Sequence, residues 1–235
     1  MLFLDPTYMI FMIPAFILML IAQGYVSGAY KKWSRVMAQS RFTGSQAAER
    51  LISSGGLNVN VDAIRGNLSD NYDPRQKVLH LSEGVYNSPS VAALAIAAHE
   101  LGHAMQDRDG YFPLRLRAAM VPAVSIGSYL GWILIVIGLL LRSTTLGLNL
   151  AWLGVLVFSG GAIFALATLP VELNASARAK VLLTNTGMII GEDEKRGVNN
   201  VLNAAALTYV AGLVTAVMQL LYFVSLVGGF GGRRR

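Results

Sequence analysis

A short motif in the middle of the chain, His99-Glu100-Leu101-Gly102-His103, has the residue types and spacing of a hydrolytic metal site. On an α-helix, residues i and i+4 lie on one face about one turn apart, so both imidazoles can bind the same ion. Glu100 starts from the neighbouring edge of that face, where its carboxylate can reach a water beside the metal. The motif therefore predicts a metal that activates water for hydrolysis, with Glu100 as the catalytic base.

The composition restricts what can hold the metal. The chain of 235 residues has no cysteine and only three histidines, two of them in the motif. Disulfides and thiolate zinc sites are therefore excluded, and the ligands must be His, Asp, Glu and water. This donor set is typical of catalytic zinc, which has three protein ligands and one open position. The sequence thus predicts one Zn²⁺ and a third protein ligand outside the motif.

Two residues are candidates for the third ligand. Glu172 follows Pro170, which either closes or kinks the apolar run; if it closes the run, a new helix begins there. Ser176 shares the helical face of Glu172. A carboxylate there can alternatively serve only to stabilise the N-terminus of that helix. His80 lies in a strand-like run, and its alternatives are a surface position or a place in the wall of the cleft.

The hydrophobic residues are concentrated in long uncharged runs. Hydrophobic residues make up 54% of the chain and charged residues only 14%, unlike an ordinary soluble domain. We predict a membrane α-helical fold with about four transmembrane helices and a small cytoplasmic α/β domain that carries the motif. The predicted segments are a transmembrane anchor (1–27), a cytoplasmic α/β domain with the motif (28–117), a transmembrane hairpin (118–169), a cytoplasmic helical segment with Glu172 (170–203), a transmembrane helix (204–230) and a basic tail (231–235).

The distribution of Lys and Arg predicts the orientation. Because the second and third spans form a hairpin, segments 28–117 and 170–203 lie on the same side of the membrane. They carry most of the basic residues near span ends, which favours the cytoplasm, whereas the terminal Arg233-Arg234-Arg235 opposes this orientation. The net charge of +6 reflects these membrane-flanking clusters, so we expect a lipid bilayer and no nucleic acid as partner.

Segment 28–117 has the pattern of alternating helices and strands. The predicted elements are a helix capped at Thr43 that ends at Gly55-Gly56, strands at Asn58–Ile64 and Lys77–Ser82, and a motif helix capped by Ser88 or Ser90. We predict that Lys77–Ser82 exposes an edge to which an extended substrate can add. Gly102 serves either close helix packing or the entry of substrate near the metal.

The two halves of the predicted site resemble a known arrangement. His99-Glu100-x-x-His103 followed by Glu172-x-x-Ala175-Ser176 resembles the gluzincin pattern of membrane metallopeptidases such as the heat-shock membrane protease and the CAAX prenyl protease. The whole chain is more similar to a bacterial family of membrane-bound neutral zinc metallopeptidases. The segments that carry this similarity are Asn71–Arg75, Leu81–Glu83, Ala97–Ala104 and Leu169–Glu172. The resemblance implies zinc, proteolysis and a cytoplasm-facing site in a bacterial inner membrane.

One position departs from the wider clan. Its members have an Asp four residues after the Glu ligand, where it orients a zinc-binding imidazole, whereas this chain has Ser176. Asn174 and Ser176 are the candidates for that orienting role.

We therefore predict a zinc-dependent endopeptidase whose substrate is an unfolded or membrane protein. His99, His103 and Glu172 hold the metal. A donor to the tetrahedral oxyanion is still required. The candidates are Arg178, His80 and Tyr209, of which Tyr209 is also interpretable as an anchor at the membrane interface. The oligomeric state is not set by the sequence.

Two other functions remain open at this point. A site-2-type protease that cuts within the bilayer is expected to carry both motifs inside spans, whereas here they lie just outside the predicted spans. A metal-binding membrane scaffold or regulator needs no turnover, and the intact Glu100 argues against it.

Overall fold

The computed structural model describes residues 5–231. Within that range the chain forms seven helices and one three-stranded sheet. In chain order the elements are α1 (Pro6–Trp33), α2 (Gly44–Gly55), β1 (Asn60–Ile64), β2 (Asn71–Asp73), β3 (Val78–Ser82), α3 (Glu83–Tyr86), α4 (Val91–Arg108), α5 (Phe112–Leu140), α6 (Thr145–Asn185) and α7 (Glu192–Gly231).

Four helices, α1, α5, α6 and α7, are long and apolar enough to cross a membrane, and they contain the four apolar runs of the sequence. Of the two alternatives for Pro170, a closed run followed by a new helix is wrong, because α6 continues through this residue. A proline removes one helix hydrogen bond, and long apolar helices tolerate that loss. Pro14 and Pro122 likewise lie inside α1 and α5.

The chain divides into two compact units. The apolar unit contains the described residues up to Ile21, Leu116–Leu169 and the part of α7 from Tyr209 onward. The mixed unit contains Ala22–Arg115 and Pro170–Thr208, and therefore the whole sheet. The sequence-based boundaries after residues 27 and 203 fall inside the continuous helices α1 and α7. Of the predicted basic tail, 231–235, all but Gly231 lies outside the described residues.

In the apolar unit, glycines let the backbones of α5 and α6 approach closely. A Cβ atom added at Gly138 would lie 2.5 Å from the backbone nitrogen of Ala151 and 2.6 Å from the carbonyl oxygen of Gly147. Small residues at such contacts are typical of helices that pack within a bilayer. Edge-to-face and tilted ring contacts extend this packing through the following residues: Tyr8, Phe11, Phe158, Tyr222 and Phe223.

The sheet of the mixed unit has the strand order β1-β3-β2. β1 runs parallel to β3, and β2 runs antiparallel to it. The prediction that Lys77–Ser82 exposes an edge is wrong, because β3 is the central strand and is hydrogen-bonded on both sides. Four of its five residues are buried, so the most apolar strand occupies the middle of the sheet. The edges of this sheet are β1 and β2.

Local capping defines the helices of the mixed unit where the sequence predicts them. Thr43 forms a capping box with Gln46, and Gly56 ends α2 in the left-handed conformation with φ 59°. Of the two serines before α4, Ser90 is the cap, since its Oγ accepts a hydrogen bond from the Ala93 N–H at 3.2 Å. The apolar face of α4 then packs in the hydrophobic core with β3 and α6.

Gly102 brings the backbones of α4 and α6 into contact. A Cβ atom at this position would lie 2.4 Å from the carbonyl oxygen of Ala175 and 3.0 Å from its Cα. No side chain fits there unless one helix moves. Close helix packing, one of the two explanations open from the sequence, is therefore the role that the structure gives to Gly102.

We expect Gly102→Ala to destabilise the mixed unit, because the added methyl group must push α6 away from α4. Such overpacking costs about 1–3 kcal/mol of unfolding free energy. Thermal unfolding of the purified chain in detergent measures this loss. Gly55→Ala is the matched control, since its Cβ would make ordinary contact at 3.6 Å with Leu57 and alanine is the better helix former. Equal melting temperatures for the two variants would contradict the packing argument.

Candidate metal centre

Three side chains of the mixed unit converge at the contact between α4 and α6. The Oε2 atom of Glu172 lies 3.3 Å from Nε2 of His99 and 3.5 Å from Nε2 of His103. The two imidazoles, one helical turn apart, meet edge to face with their centroids 4.9 Å apart. Within residues 5–231 this is the one group of three or more His, Asp or Glu side chains with ligand atoms inside 4.8 Å of one another.

The spacing of this cluster fits tetrahedral zinc. Zinc binds imidazole nitrogen and carboxylate oxygen at about 2.0–2.2 Å, which places neighbouring ligands of a tetrahedron about 3.3–3.6 Å apart. Both nitrogen-to-oxygen distances in the cluster fall in that interval. The Glu172 side chain is 3% exposed, whereas the imidazoles of His99 and His103 are 12% and 13% exposed. Three protein atoms can therefore hold one ion. A water or substrate would reach the ion from the side of the imidazoles, which are more exposed than Glu172.

Each imidazole has a hydrogen-bond partner on the nitrogen that faces away from Glu172. Nδ1 of His99 lies 3.1 Å from Oγ of Ser176, and Nδ1 of His103 lies 3.0 Å from Oε1 of Gln106. Such contacts fix the orientation of the ring and leave Nε2 available for a metal. Of the two residues considered for this role from the sequence, Ser176 contacts an imidazole directly, whereas Asn174 contacts Gln106.

Sequence reasoning missed Gln106. The signal was its position three residues after His103 on a helix, which places both side chains on neighbouring parts of one face. Gln106 is also the one fully buried polar side chain among the described residues of α4. A glutamine at that spacing, in a helix whose other buried residues are apolar, indicates a partner for its amide.

The three candidate oxyanion donors belong to different elements, α6, β3 and α7. Arg178 donates to Asn174 Oδ1 at 2.8 Å and forms an ion pair with Asp109. His80 is in the middle of β3, and its neighbours Leu79 and Leu81 are the side chains that pack into the core with α4. His80 is not one of the three residues in the cluster of His99, His103 and Glu172. Tyr209 belongs to the part of α7 in the apolar unit.

Glu100 follows His99 on α4 and is partly exposed. Burial raises the pKa of its carboxyl above the ordinary value, and the nearby charges of Glu172 and Asp70 act in the same direction, while His99 and His103 oppose them. A raised pKa brings a carboxylate closer to the range that suits a general base near neutral pH.

Asp70, whose charge acts on Glu100, is a second residue that sequence reasoning missed. It accepts hydrogen bonds from the backbone N–H and the hydroxyl of Ser82 at 2.7 and 3.0 Å.

Comparison with known proteins places nearly the whole chain in a family. The chain matches the family described as "Putative neutral zinc metallopeptidase" over residues 8–228. It is 44% identical over 206 residues to the "Putative membrane protease YugP" of Bacillus subtilis (strain 168), a match that covers 87% of this chain and 89% of the relative. No solved structure matches the chain. The resemblance to a bacterial family of membrane-bound neutral zinc metallopeptidases is confirmed, and the chain belongs to the family of that description.

Proposed function

We propose that the protein is a membrane-embedded, zinc-dependent endopeptidase. The observation that carries this proposal is the convergence of His99, His103 and Glu172, whose ligand atoms lie within 4.8 Å of one another. Both nitrogen-to-oxygen distances, 3.3 and 3.5 Å, match the spacing of zinc ligands. Membership in a zinc metallopeptidase family and the similarity to a relative named as a membrane protease support it. The four apolar helices of membrane length agree with a place in the bilayer.

The chemistry follows from the placement of Glu100 beside the cluster. Zinc held by the three ligands supplies a Lewis acid that lowers the pKa of a bound water to about 7 and polarises a carbonyl. Glu100 takes a proton from the water as the water oxygen attacks the carbonyl carbon of the peptide bond. Glu100 then returns that proton to the amide nitrogen as the carbon–nitrogen bond breaks, which regenerates the carboxylate.

We further propose that the site faces the cytoplasm at the membrane surface. The basic residues near span ends support this side: Lys31, Lys32, Arg35, Arg108, Arg115, Arg117, Arg178, Lys180, Lys195 and Arg196. A site at that surface gives access to extended segments of unfolded or membrane proteins, which we propose as the substrates.

Two features favour this proposal over cleavage within the bilayer and over a scaffold without turnover. α4, which carries both histidines, is absent from the set of membrane-length apolar helices among the described residues. Glu100 stands next to a complete ligand cluster, which a protein that only binds metal does not need.

We expect Glu100→Gln to abolish proteolysis while leaving zinc in place. The amide cannot accept the proton from water, so turnover should fall by at least about 10²-fold, the usual contribution of a general base. Cleavage of casein by the detergent-purified chain and zinc content by metal analysis are measured on the same preparations. Equal, chelator-insensitive cleavage by wild type and variant would overturn the proposed function.

We expect Glu172→Ala to lose zinc, because two imidazoles alone cannot complete the protein part of the site. The loss in affinity should exceed the about 10–100-fold change typical of removing a hydrogen-bond partner of a ligand. Zinc affinity is measured by competition with a chelator. Glu192→Ala is the control, since Glu192 is an exposed carboxylate paired with Lys195. A zinc affinity unchanged in Glu172→Ala would show that Glu172 is not a ligand.

A further inference from the structure

Gln106 is a fully buried polar side chain at the edge of the ligand cluster. Its exposure is 0%, in a helix whose other buried residues are apolar. A buried amide costs free energy unless its donors and its acceptor all find partners. The structure supplies three partners for Gln106, and their chemical nature determines how the amide is oriented.

The amide group of Gln106 can take only one orientation. Its Nε2 lies 2.8 Å from the carbonyl oxygen of Val171 and 3.0 Å from Oδ1 of Asn174, and a carbonyl oxygen can only accept. Nε2 must therefore donate to both, which leaves Oε1 as the atom that faces Nδ1 of His103 at 3.0 Å. The reverse orientation would place the amide oxygen against two acceptors.

Asn174 is oriented in turn by a charged pair. The Arg178 guanidinium donates through Nε to Oδ1 of Asn174 at 2.8 Å, and a guanidinium has no acceptor. Arg178 is itself paired with Asp109 and lies over the ring of Tyr111. A chain of hydrogen bonds therefore runs from Arg178 through Asn174 and Gln106 to His103. Its directions are fixed because a guanidinium can only donate and a carbonyl oxygen can only accept.

We propose that Gln106 is a positioning residue for zinc: it fixes the proton of His103 on Nδ1 and so presents the Nε2 lone pair toward His99 and Glu172. The inference rests on the metal site of the proposed function. Its physical basis is that a neutral imidazole carries one N–H, and the hydrogen bond made by one nitrogen decides which nitrogen is free to bind a metal. The partner of His99 is a hydroxyl, which can donate or accept, so Ser176 alone does not fix that ring's tautomer.

Two substitutions at Gln106 distinguish a role in orienting His103 from a role only in the stability of the fold. Gln106→Met keeps the length of the side chain but removes the acceptor for His103. Gln106→Glu keeps an acceptor and removes the donor to Val171 and Asn174. We expect zinc affinity to fall about 10–100-fold in Gln106→Met and to stay within about threefold of wild type in Gln106→Glu. Both variants lose contacts to α6, so the metal-stripped forms of both should melt at lower temperature than wild type.

The measurements use the full chain in detergent. Zinc affinity is obtained by chelator competition, and stability by thermal unfolding after removal of metal. Ser45→Ala is the control, because this buried serine of the same unit bonds the carbonyl of Tyr86 and the hydroxyl of Thr43, both at 3.0 Å, and neither residue belongs to the cluster. It should lose stability without losing zinc affinity. Asn174→Ala serves if Gln106→Met does not fold. It should weaken zinc binding about threefold or more, because Val171 alone then orients the amide of Gln106. The carboxylate in Gln106→Glu needs no such orientation, since it presents an acceptor to His103 either way round.

The inference is overturned if Gln106→Met, or Asn174→Ala in its place, binds zinc as tightly as wild type, or if Gln106→Glu is as weak as Gln106→Met. The same data distinguish this failure from a failure of the proposed function. Wild type that binds zinc but shows no cleavage dependent on Glu100 would refute the endopeptidase and leave the positioning role intact. Wild type that binds no zinc would refute both.

Discussion

The backbone contact between Gly102 and Ala175 is the constraint on which the site depends. α4 carries both imidazoles and α6 carries the carboxylate, so the distance between the helix axes sets the distance between ligand atoms. With no side chain at Gly102, the helices approach until the carbonyl of Ala175 meets the backbone of α4. That approach places Oε2 of Glu172 at 3.3 and 3.5 Å from the two imidazoles, the spacing that zinc requires.

Close approach also buries polar atoms, which would destabilise the helix contact if they lacked partners. Glu172, Ser176 and Gln106 are all buried within or beside the contact. The hydroxyl of Ser176 is paired with His99, and the amide oxygen of Gln106 is paired with His103. The amide nitrogen of Gln106 donates to Val171 and Asn174. The hydrogen bonds of Ser176 and Gln106 therefore offset part of the cost of burying polar groups between these helices.

The features that the sequence predicted correctly depend on neighbours along the chain. The pairing of His99 with His103 follows from helix periodicity, and the caps at Thr43 and Ser90 follow from residues within three positions. The two wrong predictions, a helix start after Pro170 and an exposed edge at Lys77–Ser82, concern how whole elements continue and pack, which a local pattern does not describe. Which strand occupies the middle of a sheet depends on what packs against both faces of the sheet. The pattern of polar and apolar residues in β3 does not reveal that packing. The role of Gln106 required Val171 and Asn174, more than sixty residues away.

Glu172 was predictable and Gln106 was not, and the reason is chemical. A catalytic zinc needs three protein ligands, and a chain with no cysteine and only three histidines leaves carboxylates as the main candidates for the third. The amide of a glutamine can form hydrogen bonds with any backbone carbonyl or side-chain oxygen, so the residue type does not indicate which group is its partner.

A zinc ion bound by His99, His103 and Glu172 would join α4 to α6. It would stabilise the mixed unit by mass action, since the unfolded chain holds these ligands apart. Helix packing and metal affinity are therefore coupled, because whatever separates the helices also separates the ligands.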